Sequence, residues 1–198
     1  GIYWEPFFER LYKLGQIMKF TKKLKEIRID WMRPILYFGA RSDGIIEFDG
    51  RKDIVDKAIS SLPSRTSVSK NNMIESMKNA KKSYSLSQIE SAYMVYKWIA
   101  KNFVYDCYNF NHDRTKIDYS EDGTYSKGKG VCDGFAKLLM TMCNSLDIEA
   151  VRVVGYSKGS GYTPGILPTQ TDHAWNAIKL GSNYYLIDVT WGAGSCNG

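Results

Sequence analysis

The sequence predicts an α+β domain in which a helix packs on an antiparallel β-sheet, preceded by a mostly helical N-terminal extension. Three observations carry that expectation: two apolar stripes at helical spacing, a β-branched run followed by two strand-like segments around a Gly-Ser pair, and enough apolar residues for a core. Hydrophobic residues are 43% of the 198 and aromatics 14%, so the chain is neither disordered nor of low complexity. That length suits one substantial domain with an extension.

Residues 1–84 read as short helices and a small strand pair. "PFFERLYKLGQIMKF" places Phe7, Phe8, Leu11, Tyr12 and Met18 at helical spacing, and "ILYF" and "IIEF" flank the turn-forming "GARSDG", so a hairpin is expected there. "RKDIVDKAISSL" and "NMIESMKNAKK" read as further helices joined through "PSRTSVSKNN". The lysines at 22, 23 and 25 lie in "KFTKKLKEIR", read as a solvated helix face; no nucleic-acid motif accompanies them, so no nucleic-acid partner is expected despite the net charge of +6.

From Ser85 the pattern sharpens. "SLSQ" offers a capping box from Ser85 to Gln88, and Ile89, Ala92, Tyr93, Tyr96, Ile99, Ala100 and Phe103 trace one helical stripe. Residues 106–130 then read as a long irregular loop, of a length that inside a compact domain is usually functional or disordered. Next, Phe135, Leu138, Leu139, Met142, Cys143 and Leu146 recur at the spacing of one buried helix face, with Cys132 in or just before the first turn. "EAVRVVGYS" is a strand; a Gly/Pro-rich loop leads to "HAWNAIKL" and "NYYLIDVTW", joined at Gly181-Ser182 in a two-residue hairpin turn.

Chemistry concentrates on Cys132. A cysteine at a helix N-terminus meets unsatisfied N–H groups and the positive end of the macrodipole, which favour a thiolate and can receive an oxyanion. Gly130 and Gly134 would leave room for a substrate carbonyl, whereas Cys143 sits on the apolar stripe and reads as structural. The alternative for Cys132 is also a structural thiol, which behaves as a small hydrophobe. Of the two histidines, His112 falls in the long loop and His173 opens a strand. With Gly181-Ser182 as the turn, Trp175 faces Asp188 and His173 faces Thr190, so His173 and Asp188 are diagonal neighbours on one sheet face, within side-chain reach. A nucleophile, a base and a group to orient the base thus meet in one geometry.

These residues also carry a resemblance. "KGVCDGFA", "GYSKG", "HAWN" and "DVTWGAG", with "YMVYKWIAKNFVYD" upstream, are similar to the motifs of the transglutaminase-like superfamily, and most resemble its kyphoscoliosis-peptidase-like branch. The resemblance covers about residues 85–194. It implies a papain/transglutaminase-like core, with Cys132 as nucleophile, His173 as base and Asp188 as orienting acid. Tyr184 and Tyr185 stand where the family often has tryptophan, and "TYSKGKG" holds no glutamine or tryptophan to complete an oxyanion hole.

The expected division is therefore an extension over 1–84 and a transglutaminase-like core over 85–198. Beginning at Gly1 and stopping soon after the acid motif, the chain is expected to be a fragment. The expected activity is acyl transfer on a protein or peptide substrate through a thioester, with peptidase first, a transglutaminase or deamidase second, and an inactive protein-interaction module as the non-enzymatic alternative. Trp175 and Tyr156 are candidate cleft walls, with core packing as the other reading. No cofactor or metal is implied; "DYSEDG" reads as a polar turn. No apolar run reaches the ~18 residues of a membrane span. Four irregularly spaced cysteines make no disulfide scaffold, which favours a reducing, cytoplasmic setting.

Overall fold

The computed structural model describes residues 50–157, 170–181 and 183–193. The helix and hairpin expected before residue 49, and the lysines at 22, 23 and 25, lie outside the described residues.

Helices α1 (Lys52–Ser60) and α2 (Lys70–Ser83) come first, separated by a 3-10 turn (Arg65–Ser67) in the segment read as a linker. Ser69 caps α2 by accepting from the Asn72 N–H at 3.2 Å. Helix α3 (Gln88–Asn102) does begin with a capping box, but two residues later than expected. Ser87 accepts from the Glu90 N–H, and the Glu90 carboxylate accepts from the Ser87 N–H at 2.8 Å. Ser85, the expected cap, has φ +49 and lies in the turn before it. Glu90 wins because its carboxylate also receives the Arg51 guanidinium, at 2.8 Å and 2.9 Å, and the Arg51 N–H, at 2.9 Å.

The predicted stripe of α3 is half the story. Ala92, Tyr93, Tyr96, Ile99 and Phe103 are buried, but so are Met94, Val95 and Trp98 on the other side. Helix α1 packs on α3, while α6 (Cys132–Ser145) and the short α7 (Val189–Gly192) also pack against it. A helix covered on several sides loses the single-face signature that periodicity detects. Val55, Ala58, Met73, Ile74 and Met77 belong to the same apolar core as α3 and α6.

The segment expected as a long loop is largely ordered into short elements. These are β1 (Val104–Tyr105), α4 (Cys107–His112), a 3-10 turn (Arg114–Lys116), α5 (Glu121–Lys127) and β2 (Lys129–Gly130). Ser120 caps α5 through the Gly123 N–H at 2.9 Å, and Gly128 ends it with φ +66, a left-handed position that glycine occupies without a Cβ penalty. Helices this short have little periodicity to read and draw their stability from packing. Cys107 is disulfide-bonded, a pairing that the irregular cysteine spacing did not suggest.

Helix α6 carries the predicted buried face intact: Phe135, Leu138, Leu139, Met142, Cys143 and Leu146 are all at most 1% exposed. It packs on a three-stranded antiparallel sheet in the order β3 (Ala150–Gly155), β4 (His173–Leu180), β5 (Asn183–Ile187). The β4–β5 register follows the expected turn, with Leu180 opposite Asn183 and Gly181 at φ +62. Pairing stops at Asn176–Ile187, so His173 does not face Thr190. Asp188 ends the strand by accepting from the Thr190 and Trp191 N–H groups at 3.0 Å and 3.4 Å, which turns the chain into α7. Among the described residues no helix is long and apolar enough to cross a membrane.

Candidate active site

Cys132 is the first residue of α6, and its thiol is free and half-buried. Val131 occupies the N-cap position and supplies no side-chain cap, so the N–H groups of the first turn keep their positive ends without a side-chain acceptor there. The acid next door is engaged elsewhere. Asp133 pairs with Arg152 and Lys137, each at 2.7 Å, and so anchors the start of α6 to β3.

His173 opens β4 opposite Gly155 and is 9% exposed. Its Nε2 lies 2.6 Å from Asp188 Oδ2. Cys132 also acts on this ring, being among the groups that raise its pKa. Burial alone would lower the imidazole pKa, but the Asp188 and Cys132 interactions outweigh it and raise it to about 9. Asp188 divides its two oxygens between tasks: Oδ1 caps α7 and Oδ2 holds the imidazole. The diagonal proximity expected from the hairpin is present, and the turn into α7 gives it its final form. His112, the other histidine, stacks on Tyr108 at 4.6 Å on the exposed α4.

Two indoles flank the imidazole at stacking distance, Trp175 at 5.8 Å and Trp191 at 5.4 Å between ring centroids. Trp175 also packs on a small apolar cluster of Val151, Val153 and Ala177, as its core-packing reading expects. Trp191, 42% exposed, was missed as a site residue; its place three positions after Asp188 was the available signal. Tyr156 is half-buried just beyond β3.

The glycines around the cysteine do something other than expected. A Cβ on Gly130 would stand 2.7 Å from Thr124 Oγ1, and one on Gly134 only 2.1 Å from it. Both glycines admit the buried Thr124 of α5, not a substrate, because that hydroxyl is drawn in to donate to the Ser120 carbonyl at 2.8 Å. Cys143 behaves as its position dictates: complete burial pushes its thiol up to about 12.

A cysteine at a helix start, a histidine whose pKa it helps to raise and a carboxylate bound to that histidine are the residue types that nucleophilic catalysis uses. The family model of the transglutaminase-like superfamily core matches residues 73–189, more than half of the chain. The chain belongs to the transglutaminase-like superfamily. Kyphoscoliosis peptidase of Mus musculus is 34% identical over 109 residues, a stretch that is 54% of this chain and 16% of that protein. Its Homo sapiens counterpart is 32% identical over 109 residues, with the same 54% and 16% shares. The chain thus spans a small part of the length of the curated relatives it matches. A solved structure described as a TGase is 15% identical, with a TM-score of 0.46, and the match covers 79% of this chain and 37% of that one.

Proposed function

We propose that this superfamily domain is a cysteine-dependent acyl-transfer enzyme acting on a protein or peptide substrate, with Cys132 as nucleophile, His173 as acid and base, and Asp188 as the group that orients His173. The observation that carries the reading is His173 bound to Asp188 at 2.6 Å, with Cys132 at the start of α6 among the groups that raise the pKa of the same ring.

The thiolate sulfur attacks the substrate carbonyl carbon, and the carbonyl π pair moves onto oxygen. Collapse of that intermediate breaks the C–N bond as the imidazolium of His173 passes its proton to the leaving amine, and a thioester remains on Cys132. His173, now neutral, takes a proton from water while the hydroxyl attacks the thioester. The acid is released and the thiolate returns. Trp175 walls the imidazole side of the cleft. If an amine takes the place of water, the same steps give an amide, which is transglutaminase chemistry; a glutamine side-chain amide with water is deamidation. Peptidase is the reading supported by the similarity to the mouse and human kyphoscoliosis peptidases.

Alkylation by iodoacetamide, read by peptide mass between pH 4 and 9, tests the nucleophile. Cys132 is expected to react rapidly at pH 6 in the wild type and to lose most of that rate in His173→Ala, while Cys143 stays unmodified in both. A Cys132 that is inert, or equally reactive in both proteins, would leave a non-catalytic interaction module as the reading.

A further inference from the structure

The upstream segment "TYSKGKG" supplies no glutamine or tryptophan side chain for an oxyanion, yet the fold brings another donor to the same place. Strand β1 runs parallel to β2 with Tyr105 opposite Gly130, two residues before Cys132. Two backbone bonds hold this register, Asp106 N–H to the Gly130 carbonyl at 2.8 Å and Val104 N–H to the Gly128 carbonyl at 3.2 Å. The phenol is half-buried and sits edge-on to Phe110 at 5.6 Å, so its ring is held by packing. Among the described residues its hydroxyl has no hydrogen-bond partner. The hydroxyls of Tyr125 and Tyr184 are by contrast engaged, with the Val68 carbonyl at 3.0 Å and with Glu149 at 2.7 Å. Burial, and then the neighbouring Cys132 charge, push the Tyr105 hydroxyl far above the usual phenol range, so it stays a donor wherever the cysteine works.

We propose that Tyr105 is a catalytic residue whose hydroxyl donates a hydrogen bond to the oxyanion formed when Cys132 attacks a carbonyl, alongside the Cys132 backbone N–H. This rests on the reading of Cys132 as a nucleophile. A donor fixed level with the residue two before Cys132, with no ground-state partner to give up, fits a role that begins only when negative oxygen appears.

Two probes separate the donor from the nucleophile. Iodoacetamide reacts with Cys132 by displacement of iodide and forms no oxyanion. p-Nitrophenyl acetate reacts through one: the sulfur forms the S–C bond, the π pair moves to oxygen, and collapse expels p-nitrophenolate to leave an acetyl thioester. Tyr105→Phe keeps the ring and removes the donor. It is expected to leave the alkylation rate of Cys132 within about twofold of wild type while slowing the p-nitrophenolate burst by roughly tenfold or more. A burst as fast as wild type overturns the assignment, and so does an equal loss of both reactions, which would mean that Tyr105 only positions the cysteine. A wild-type protein with neither rapid alkylation nor a burst overturns the nucleophile reading itself, and Tyr105 loses its role with it.

Discussion

Asn176 Nδ2 donates to the Ala136 carbonyl at 2.9 Å, across the interface between the sheet and α6. Asn176 lies three residues beyond His173 on β4, and Ala136 lies four residues beyond Cys132 on α6. One fully buried side chain therefore ties the element that carries the base to the element that carries the thiol. A second, longer contact reaches the Val151 carbonyl at 3.4 Å, so β3 joins the same point.

Asn176→Ala removes this tie and opens a hole at a site with no solvent. Its expected cost is about 2 kcal/mol of unfolding free energy, the range for losing a buried hydrogen bond with its partner left unsatisfied. Urea unfolding measures it. If the tie also sets the distance between Cys132 and His173, alkylation of Cys132 at pH 6 slows as well, a readout that lost stability alone would not move.

The pH dependence follows from His173. With its folded pKa raised from 6.5 to about 9, protonated His173 stabilises the folded protein fully below about 6.5, and that contribution is lost as pH rises through about 9. A carbon-13 titration of the imidazole should show a midpoint near 9 in the wild type. In Asp188→Asn it should fall by at least about one unit, because the Asp188 hydrogen bond and charge are leading causes of the rise. Indole fluorescence should follow the same titration, since an imidazolium stacked on Trp175 and Trp191 quenches them, and Trp191→Phe should reduce the amplitude.

Thr124 and Gly134 make a second testable pair. Gly134→Ala gains helix propensity of about 1 kcal/mol. It also drives a methyl to within 2.1 Å of Thr124 Oγ1, whose hydroxyl is held by the Ser120 carbonyl, so the net effect is expected to be destabilising. Thr124→Ala removes the clashing atom. The double variant should therefore be more stable than the sum of the single losses predicts, by about 1 kcal/mol or more in a thermal-unfolding cycle.

The capping box at Ser87 and Glu90 should show the opposite pH sign from His173. The Arg51 guanidinium holds the Glu90 carboxyl well below its ordinary value near 4.5. Its stabilising contribution is present above that ordinary value and is lost as pH falls toward the depressed one. Glu90→Gln should cost about 1 kcal/mol at pH 7, the scale of a lost cap. The gap from wild type should narrow in unfolding measured below pH 4.

Local pattern by itself determined a good part of this protein. The buried face of α6, the position of Cys132 at its start, the β4–β5 register and the proximity of His173 to Asp188 all rest on spacings of a few residues, which helix and strand periods convert directly into geometry. The tertiary structure decided the rest, because the deciding partners lie far apart in the chain. Arg51 moved the cap of α3 from Ser85 to Ser87 across 39 positions of sequence. Thr124 took the space at Gly134 that the sequence suggested for a substrate, and strand pairing between 104–105 and 129–130 brought Tyr105 level with Gly130, two residues before Cys132. Helices α4 and α5 follow the same rule, being too short to hold without neighbours and too short to leave a readable stripe. A periodic pattern reports which face an element buries; which distant residue meets that face is set only when the chain closes on itself.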